Sequence, residues 1–326
     1  MIWVTWRQQR VEALLCGAIL IVLAGLILKT GLDLGAGYSR LGVAACLTAS
    51  PDDQHCYLVL QTFHQQLDPL NTVFSWFEVL PAVLAILVAS PTTMELEQGT
   101  FRLAWTQSIT RTRWITIKLA LTLSVVIAGS LAVSVLLSWW HEPVNRLQGG
   151  SFSSSSFDTG GLVPVAYAVF AVALGLAAGT VLRRVIPALG IMLAGFLVAR
   201  LGIEALGRPN YVAPVEKLWT SGPIPVGPRD WLISKGQLFQ NRLGHLYSMD
   251  QINQLCGNPG ASQNISPAAA KDLYISCYNQ HGISEVIRYQ PADRFWLFQG
   301  IESAIFLGMA AALLVFTTWW IRHRIA

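Results

Sequence analysis

Charged side chains are scarce in this sequence. Only 12% of its 326 residues are Asp, Glu, Lys or Arg, whereas 53% are hydrophobic. A soluble domain is usually about a quarter charged. The formal net charge is only +4, so the placement of the charges matters more than their sum. We expect no nucleic-acid partner. This composition indicates a polytopic protein embedded in a lipid bilayer.

Several signatures of enzymes are also missing. The sequence contains no GxxxxGK[ST], so the chain carries no phosphate-binding loop of its own. HExxH, CxxC and GxSxG are absent too, and the six histidines are scattered singly. We therefore expect no catalytic residue, no metal site and no cofactor bound by this chain. An integral-membrane enzyme is the least favoured interpretation.

Long apolar runs are what the sequence does have. A helix needs about 20 predominantly apolar residues to cross the hydrocarbon core. Six segments qualify, which predicts an all-α polytopic membrane protein with six transmembrane helices. These segments are 11–30, 73–90, 115–138, 162–182, 185–203 and 296–320.

The positions of Lys and Arg predict the orientation. The two short loops on one side, 31–72 and 141–161, contain only Arg40 and Arg146. Cytoplasmic loops carry the excess of positive charge, so we expect both termini in the cytoplasm and a multi-pass location in the plasma membrane. The basic residues of the cytoplasmic side are Arg7, Arg10, Arg102, Arg111, Arg113, Lys118, Arg183, Arg184, Arg322 and Arg324.

This topology divides the chain into three parts. Residues 1–203 contain the first five transmembrane helices and a cytoplasmic loop, 91–114. Residues 204–295 form a small extracellular domain between helices 5 and 6, with a helical stretch near 266–279. Residues 296–326 contain the sixth helix and a cytoplasmic tail.

Four of the five cysteines fall in predicted external segments. An even set outside the cell predicts disulfides in an oxidising compartment. The local pairs Cys46–Cys56 and Cys256–Cys277 are favoured. The first external loop could instead be joined to the large one, or all four could be free thiols.

Few charges lie within the apolar segments. Glu78 and Glu302 fall in the outer parts of the second and sixth helices, and a charge in the bilayer must face protein or water. One hypothesis is that these carboxylates line an outward-opening substrate cavity. The alternative is interhelical pairing with Lys29 or Arg200.

Small residues at helical spacing indicate close helix packing. The fourth segment carries Gly175 and Gly179 as GxxxG, and we expect such faces to pack within one chain by default. The sixth segment repeats small residues every four positions, at Gly300, Ala304, Gly308 and Ala312.

The cytoplasmic loop 91–114 is both charged and amphipathic. Glu95 and Glu97 stand near its start, where we expect the N-terminal end of a helix to favour anions. Gly99 and Thr100 are expected to break or cap that helix. The segment is either an interfacial anchor or a docking element for a cytoplasmic partner.

The stretch "MELEQGTFRLAWTQSITRTRWITIKLA" resembles the cytoplasmic loop of ABC-2-type transporter permeases. In that family an acidic pair precedes Gly-Thr, and a Ser/Thr-x-Arg turn and Lys-Leu follow. The large external domain is a departure from the family's pattern, and it leaves the substrate exit open. The matching positions are Glu95, Glu97, Gly99, Thr100, Ser108, Thr110, Arg111, Lys118 and Leu119.

The resemblance implies the permease subunit of an ATP-binding cassette exporter. Two permease copies would pair with two copies of a separate cytoplasmic ATPase, which would bind the ATP and Mg. The few charges suggest an amphipathic or hydrophobic substrate. The alternative is a membrane-anchored sensor or accessory subunit whose external domain binds a ligand without transport. The residues assigned to ATPase docking are Glu95, Glu97, Gly99, Thr100, Phe101, Trp105 and Arg111.

Overall fold

Long helices make up most of the chain in the computed structural model. It describes residues 2–47, 53–100, 110–146, 150–221, 224–227, 229–258 and 266–324. The helices are α1 (Ile2–Arg40), α2 (Val43–Cys46), α3 (Gln54–Ser75), α4 (Leu80–Gln98), α5 (Arg111–Asn145), α6 (Ser154–Thr159), α7 (Val163–Leu182), α8 (Val185–Gly202), α9 (Met249–Cys256), α10 (Pro267–His281) and α11 (Phe295–His323).

The predicted number of membrane spans is confirmed. Among the described residues, six helical segments are long and apolar enough to cross a bilayer. The turn between α7 and α8 is short, and Arg183 takes a left-handed φ of 50° there. Successive spans alternate in direction, so both chain ends lie on one side of the bundle, the terminal side. The six segments are Gly17–Arg40, Gln54–Gln98, Thr112–Asn145, Val163–Leu182, Val185–Asn210 and Ala292–His323.

The region predicted as a loop at 31–72 is largely helical. α1 continues to Arg40, and α3 leads through a 3-10 turn, Trp76–Val79, directly into α4. Asp53 caps α3, because its carboxylate accepts the backbone N–H groups of His55 and Cys56. The Cys46–Cys56 disulfide joins the two arms of this helical hairpin.

α7 is the central helix of the bundle. It packs against α4, α8 and α11, and most of its residues are buried. Its small residues permit that approach: an added Cβ on Gly179 would lie 2.6 Å from the Thr93 hydroxyl oxygen. Packing within the chain is therefore confirmed for the Gly175–Gly179 face.

The small face of α11 is different. A Cβ added at Gly300 or Gly308 would meet nothing within 4 Å among the described residues. Ala304 and Ala312 are exposed as well. The expectation that this face packs within the chain is therefore wrong for the part of the chain that the structure describes.

The prediction of an all-α chain is wrong between the fifth and sixth spans. That region contains a five-stranded sheet in which β5 pairs antiparallel with β1, β2 and β3, and β3 pairs with β4. Strand partners far apart in sequence make such a sheet hard to foresee. The strands are β1 (Val215–Trp219), β2 (Trp231–Ser234), β3 (Leu238–Asn241), β4 (Leu246–Ser248) and β5 (Ile283–Gln290).

The sheet has its own core and its own disulfide, and we call residues 215–290 the sheet subdomain. Phe239, Ile252 and Ile283 form a buried cluster between the strands and helices α9 and α10. The expected helix near 266–279 is present as α10. Cys256 and Cys277 are bonded, so both favoured local pairs are confirmed and the cross-loop and free-thiol alternatives are wrong.

Aromatic contacts fix the sheet subdomain to the helices. Trp231 of β2 stacks on Phe152 with ring centroids 5.6 Å apart. Phe298 of α11 packs edge-on against both rings. The subdomain therefore rests on the side of the bundle opposite the chain ends, beside α6 and the start of α11.

Candidate functional site

The candidate charged residues identified from the sequence lie in two parts of the bundle. The first, on the terminal side, is where α4 ends and α5 begins. α4 continues through Gln98, so residues 91–98 extend the second span rather than forming a loop. Gly99 ends the helix with a φ of 71°, a left-handed conformation that glycine adopts without steric cost. Thr110 caps α5 by accepting the N–H of Arg113.

The expected position of the acidic pair is therefore wrong. Glu95 and Glu97 lie in the last turn of α4, not at the start of a helix. A helix C-terminus disfavours anions, so these carboxylates need partners from other elements.

Glu95 has such a partner in α5. It forms an ion pair with Lys118, whose side chain is only 3% exposed. Lys118 also lies 4.9 Å from the centroid of the Trp114 ring, within range of a cation–π interaction. The predicted docking residue Glu95 is therefore turned into the protein and stabilises a buried lysine.

Glu97 has a partner in α8. Its carboxylate accepts the backbone N–H of Val185 at a distance of 2.8 Å. Val185 is the first residue of α8, so its N–H has no partner within the helix, and the positive end of the helix dipole favours the anion. Glu97 thus ties the end of α4 to the start of α8.

An apolar cluster completes this junction. Leu96, Trp114, Ile115 and Ile321 are all buried against one another, which brings α4, α5 and the end of α11 together. We call this cluster, together with the Glu95–Lys118 and Glu97–Val185 contacts, the loop junction. Four of the six spans meet at it.

The structure describes the other predicted docking residues only in part. Thr100 is exposed, and its hydroxyl lies 3.5 Å from the carbonyl oxygen of Glu95. Phe101 and Trp105 lie outside the described residues. Arg111 begins α5, but its side chain is also outside them. Their docking role stays a prediction.

The second place is a buried network of ion pairs on the opposite side. Arg200, near the end of α8, donates to Glu78 at 2.6 Å and to Asp158 at 2.5 Å. Glu204 lies 3.9 Å from the same guanidinium. Glu78 comes from the 3-10 turn before α4, and Asp158 comes from α6, so Arg200 joins three elements.

Arg208 extends the network to α11. It donates to Asp158 and, at 2.8 and 3.0 Å, to both carboxylate oxygens of Glu302. The hydroxyls of Tyr167 and Tyr211 also contact Glu302. A tyrosine hydroxyl is neutral at physiological pH, and burial raises the pKa of Tyr211 further above its ordinary value.

The central charges of this network are almost completely shielded from solvent. The side chains of Asp158 and Glu302 are 0% exposed, and those of Arg200 and Arg208 are 6% and 3% exposed. Buried charges are tolerated when they are paired and hydrogen-bonded, and losing one partner costs about 3–5 kcal/mol. We call Glu78, Asp158, Arg200, Arg208 and Glu302 the ion network.

The structure favours pairing over an open cavity for the two predicted cavity residues. Glu78 pairs with Arg200, which was the alternative drawn from the sequence, while Glu302 pairs with Arg208. A role in lining the substrate path stays a prediction for both.

Sequence reasoning missed Asp158, Arg208, Tyr167 and Tyr211. Asp158 lies two positions after a run of four serines, in the segment 141–161 that the sequence predicts as a loop, and Arg208 lies in the predicted external domain. The available signal was a single charged residue next to an apolar run: Asp158 stands just before one, and Arg208 just after one. Among the described residues, no three His, Cys, Asp or Glu are grouped as metal ligands.

Comparison with known families gives one result. Residues 17–208 match the family described as ABC-2 membrane transporter related. No curated protein and no solved structure matches the chain. The matched range includes the first four spans, the fifth span up to Arg208, the loop junction except Ile321, and all of the ion network except Glu302.

Proposed function

The chain belongs to the ABC-2 membrane transporter related family, and from this membership we propose that it is the permease subunit of an ATP-binding cassette exporter. Together with its six apolar helices, the family makes it a multi-pass membrane protein. We assign the terminal side to the cytoplasm and the sheet subdomain to the outside. The substrate class we propose is amphipathic or hydrophobic.

The loop junction is the observation that carries this proposal. A cytoplasmic motor has to move helices by pushing on something connected to them. Glu95 and Glu97 couple the end of α4 to α5 and α8, and Ile321 adds α11. A displacement at residues 99–110 therefore reaches four spans through direct contacts.

We propose that the motor is a separate protein. The sequence has no phosphate-binding loop, so ATP and Mg would be bound by a cytoplasmic ATPase subunit. We propose two copies of this ATPase and two copies of the permease. The basic residues Arg113, Arg183, Arg184 and Arg322 are exposed on the terminal side and would meet lipid phosphates or the ATPase surface.

The direct test is co-purification from the membrane with an ABC ATPase subunit of the same cell. We expect a stable complex whose ATP hydrolysis is stimulated by hydrophobic or amphipathic compounds. The control is the same ATPase with Gly99→Leu permease, in which a β-carbon is forced into the left-handed conformation at the end of α4.

Two results would contradict the proposal. One is a correctly inserted permease that binds no ATPase. The other is a sheet subdomain that binds a ligand tightly while the chain neither associates with an ATPase nor transports it. The second result would support the sensor alternative, in which the disulfide-bonded subdomain is the receptor.

A further inference from the structure

The second and fifth spans are attached to each other at both ends. On the terminal side, Glu97 of α4 accepts the N–H of Val185 of α8. At the opposite end, Glu78, just before α4, binds Arg200, near the end of α8. Two helices fixed at both ends are expected to move together, and we call them the α4–α8 pair.

Asp158 belongs to a different part of the bundle. It lies in α6, a short helix between the third and fourth spans, which packs against α5 and α7. Its Oδ2 accepts from Arg200 of α8, and its Oδ1 accepts from Arg208, which lies in the turn beyond α8, so one carboxylate binds the fifth span twice. Arg208 also lies 4.2 Å from the Phe157 ring centroid.

A narrow crevice runs beside this contact. It is lined by Phe77, Leu84, Ser130, Ser134, Asp158 and Pro164 among others, and so lies between α4, α5 and α7. Ser130 is 4% exposed and Asp158 is 1% exposed. These two polar side chains of the crevice lining are therefore shielded from solvent.

We propose that Asp158 is a latch that holds this side of the bundle closed. In the closed state it joins α6 to the α4–α8 pair, and it must release Arg200 and Arg208 before the crevice can open toward the sheet subdomain. Movement at the loop junction reaches the latch because the α4–α8 pair spans both places. This inference rests on the proposed export function, since a transporter has to open the side on which substrate leaves.

The test is the accessibility of a reporter cysteine in the full chain, reconstituted in lipid nanodiscs. Cys16→Ser removes the only cysteine outside the two disulfides, and Ser130→Cys places a thiol in the crevice. The probe is a hydrophilic maleimide. We expect Asp158→Asn to raise its reaction rate about tenfold or more, because losing a buried ion pair strongly shifts such an equilibrium.

A matched control is available on the same helix as the reporter. Glu142 pairs with Arg146 one turn away, and both side chains are about half exposed, at 56% and 46%. Glu142→Gln removes an ion pair that joins no separate elements, so the reaction rate should stay unchanged. If Asp158→Asn fails to fold, Arg208→Lys is the second variant. Lysine keeps the positive charge but lacks the guanidinium that contacts Asp158 and Glu302 together. We expect a smaller rise in the reaction rate of the reporter.

An unchanged rate in a folded Asp158→Asn or Arg208→Lys chain overturns the latch. Adding the ATPase and ATP tests the proposed function separately. The rate should then rise with native Asp158 and should not rise further with Asp158→Asn. A chain that responds to Asp158→Asn but never to ATPase and ATP would retain the latch and overturn the export function.

Discussion

The carboxylate of Glu97 lies 2.8 Å from the backbone nitrogen of Val185, a residue 88 positions later in the chain. This hydrogen bond joins the second span to the fifth at the terminal-side end of α4. Glu97 is exposed, but it is not free: its charge is directed at the start of α8. A docking role for Glu97 therefore includes positioning α8.

We predict that Val185→Pro and Glu97→Ala have the same effect. Proline deletes the Val185 N–H without straining the helix, because proline is favoured at the first helical position and Arg184 already has φ −140° and ψ 127°. Each change should cost about 1 kcal/mol of stability or less. Each should abolish ATPase-coupled opening, measured as the ATP-dependent reaction rate of the crevice reporter.

Val185→Ala is the control for this prediction, because it keeps the N–H and should leave coupling intact. The double variant, Glu97→Ala with Val185→Pro, should lose no more of the ATP-dependent reaction rate than either single variant. Additive losses would show that the two groups act independently and that the hydrogen bond does not carry the coupling.

A second prediction concerns Glu95 and Lys118. Glu95→Leu leaves the buried Lys118 ammonium without its partner, so we expect a loss of about 3 kcal/mol in the free energy of unfolding. Combining it with Lys118→Met removes both charges and should restore most of that loss. Unfolding in sodium dodecyl sulfate measures both values. A double variant that is less stable than Glu95→Leu alone would contradict this account.

The sequence was informative where a local pattern determines the structure. Apolar runs gave the six spans, because the bilayer requires every spanning helix to be long and apolar. Cys46 and Cys56 lie only 10 positions apart, and Cys256 and Cys277 only 21, so local pairing was the natural expectation.

The sequence was less informative where partners are far apart. Asp158 meets Arg200 and Arg208 across 42 and 50 positions, and nothing near Asp158 indicates those contacts. Likewise, Glu216 of β1 meets Arg288 of β5 across 72 positions. The sheet and the ion network both depend on tertiary contacts that no window of neighbouring residues contains.

A third prediction compares two glycines. Gly179→Ala should be destabilising by about 1–3 kcal/mol, because overpacking a tight interface forces its neighbours apart. The new Cβ would lie 2.6 Å from Oγ1 and 2.8 Å from Cγ2 of Thr93. Gly308→Ala meets no described atom within 4 Å and should be neutral or stabilising, since alanine favours a helix by about 1 kcal/mol over glycine.

Thr93→Ala provides the rescue for this pair, because it removes the two nearest contacting atoms, Oγ1 and Cγ2. Adding it to Gly179→Ala should recover part of the lost thermal stability. If Gly179→Ala is tolerated as well as Gly308→Ala, then α4 and α7 do not approach as closely as the structure shows.

The last prediction concerns orientation. Basic residues concentrate on the terminal side, where Arg183, Arg184 and Arg322 are exposed, and positive charge is retained in the cytoplasm. Leu243, in the turn between β3 and β4, is 93% exposed, and Thr112 is exposed at the terminal-side end of α5. In a Cys16→Ser background, a membrane-impermeant maleimide should label Leu243→Cys in intact cells and Thr112→Cys only after permeabilisation. Labelling of both variants after permeabilisation is the control for thiol reactivity. The reverse pattern in intact cells would place the loop junction outside, out of reach of any cytoplasmic ATPase, and the proposed coupling would fail with it.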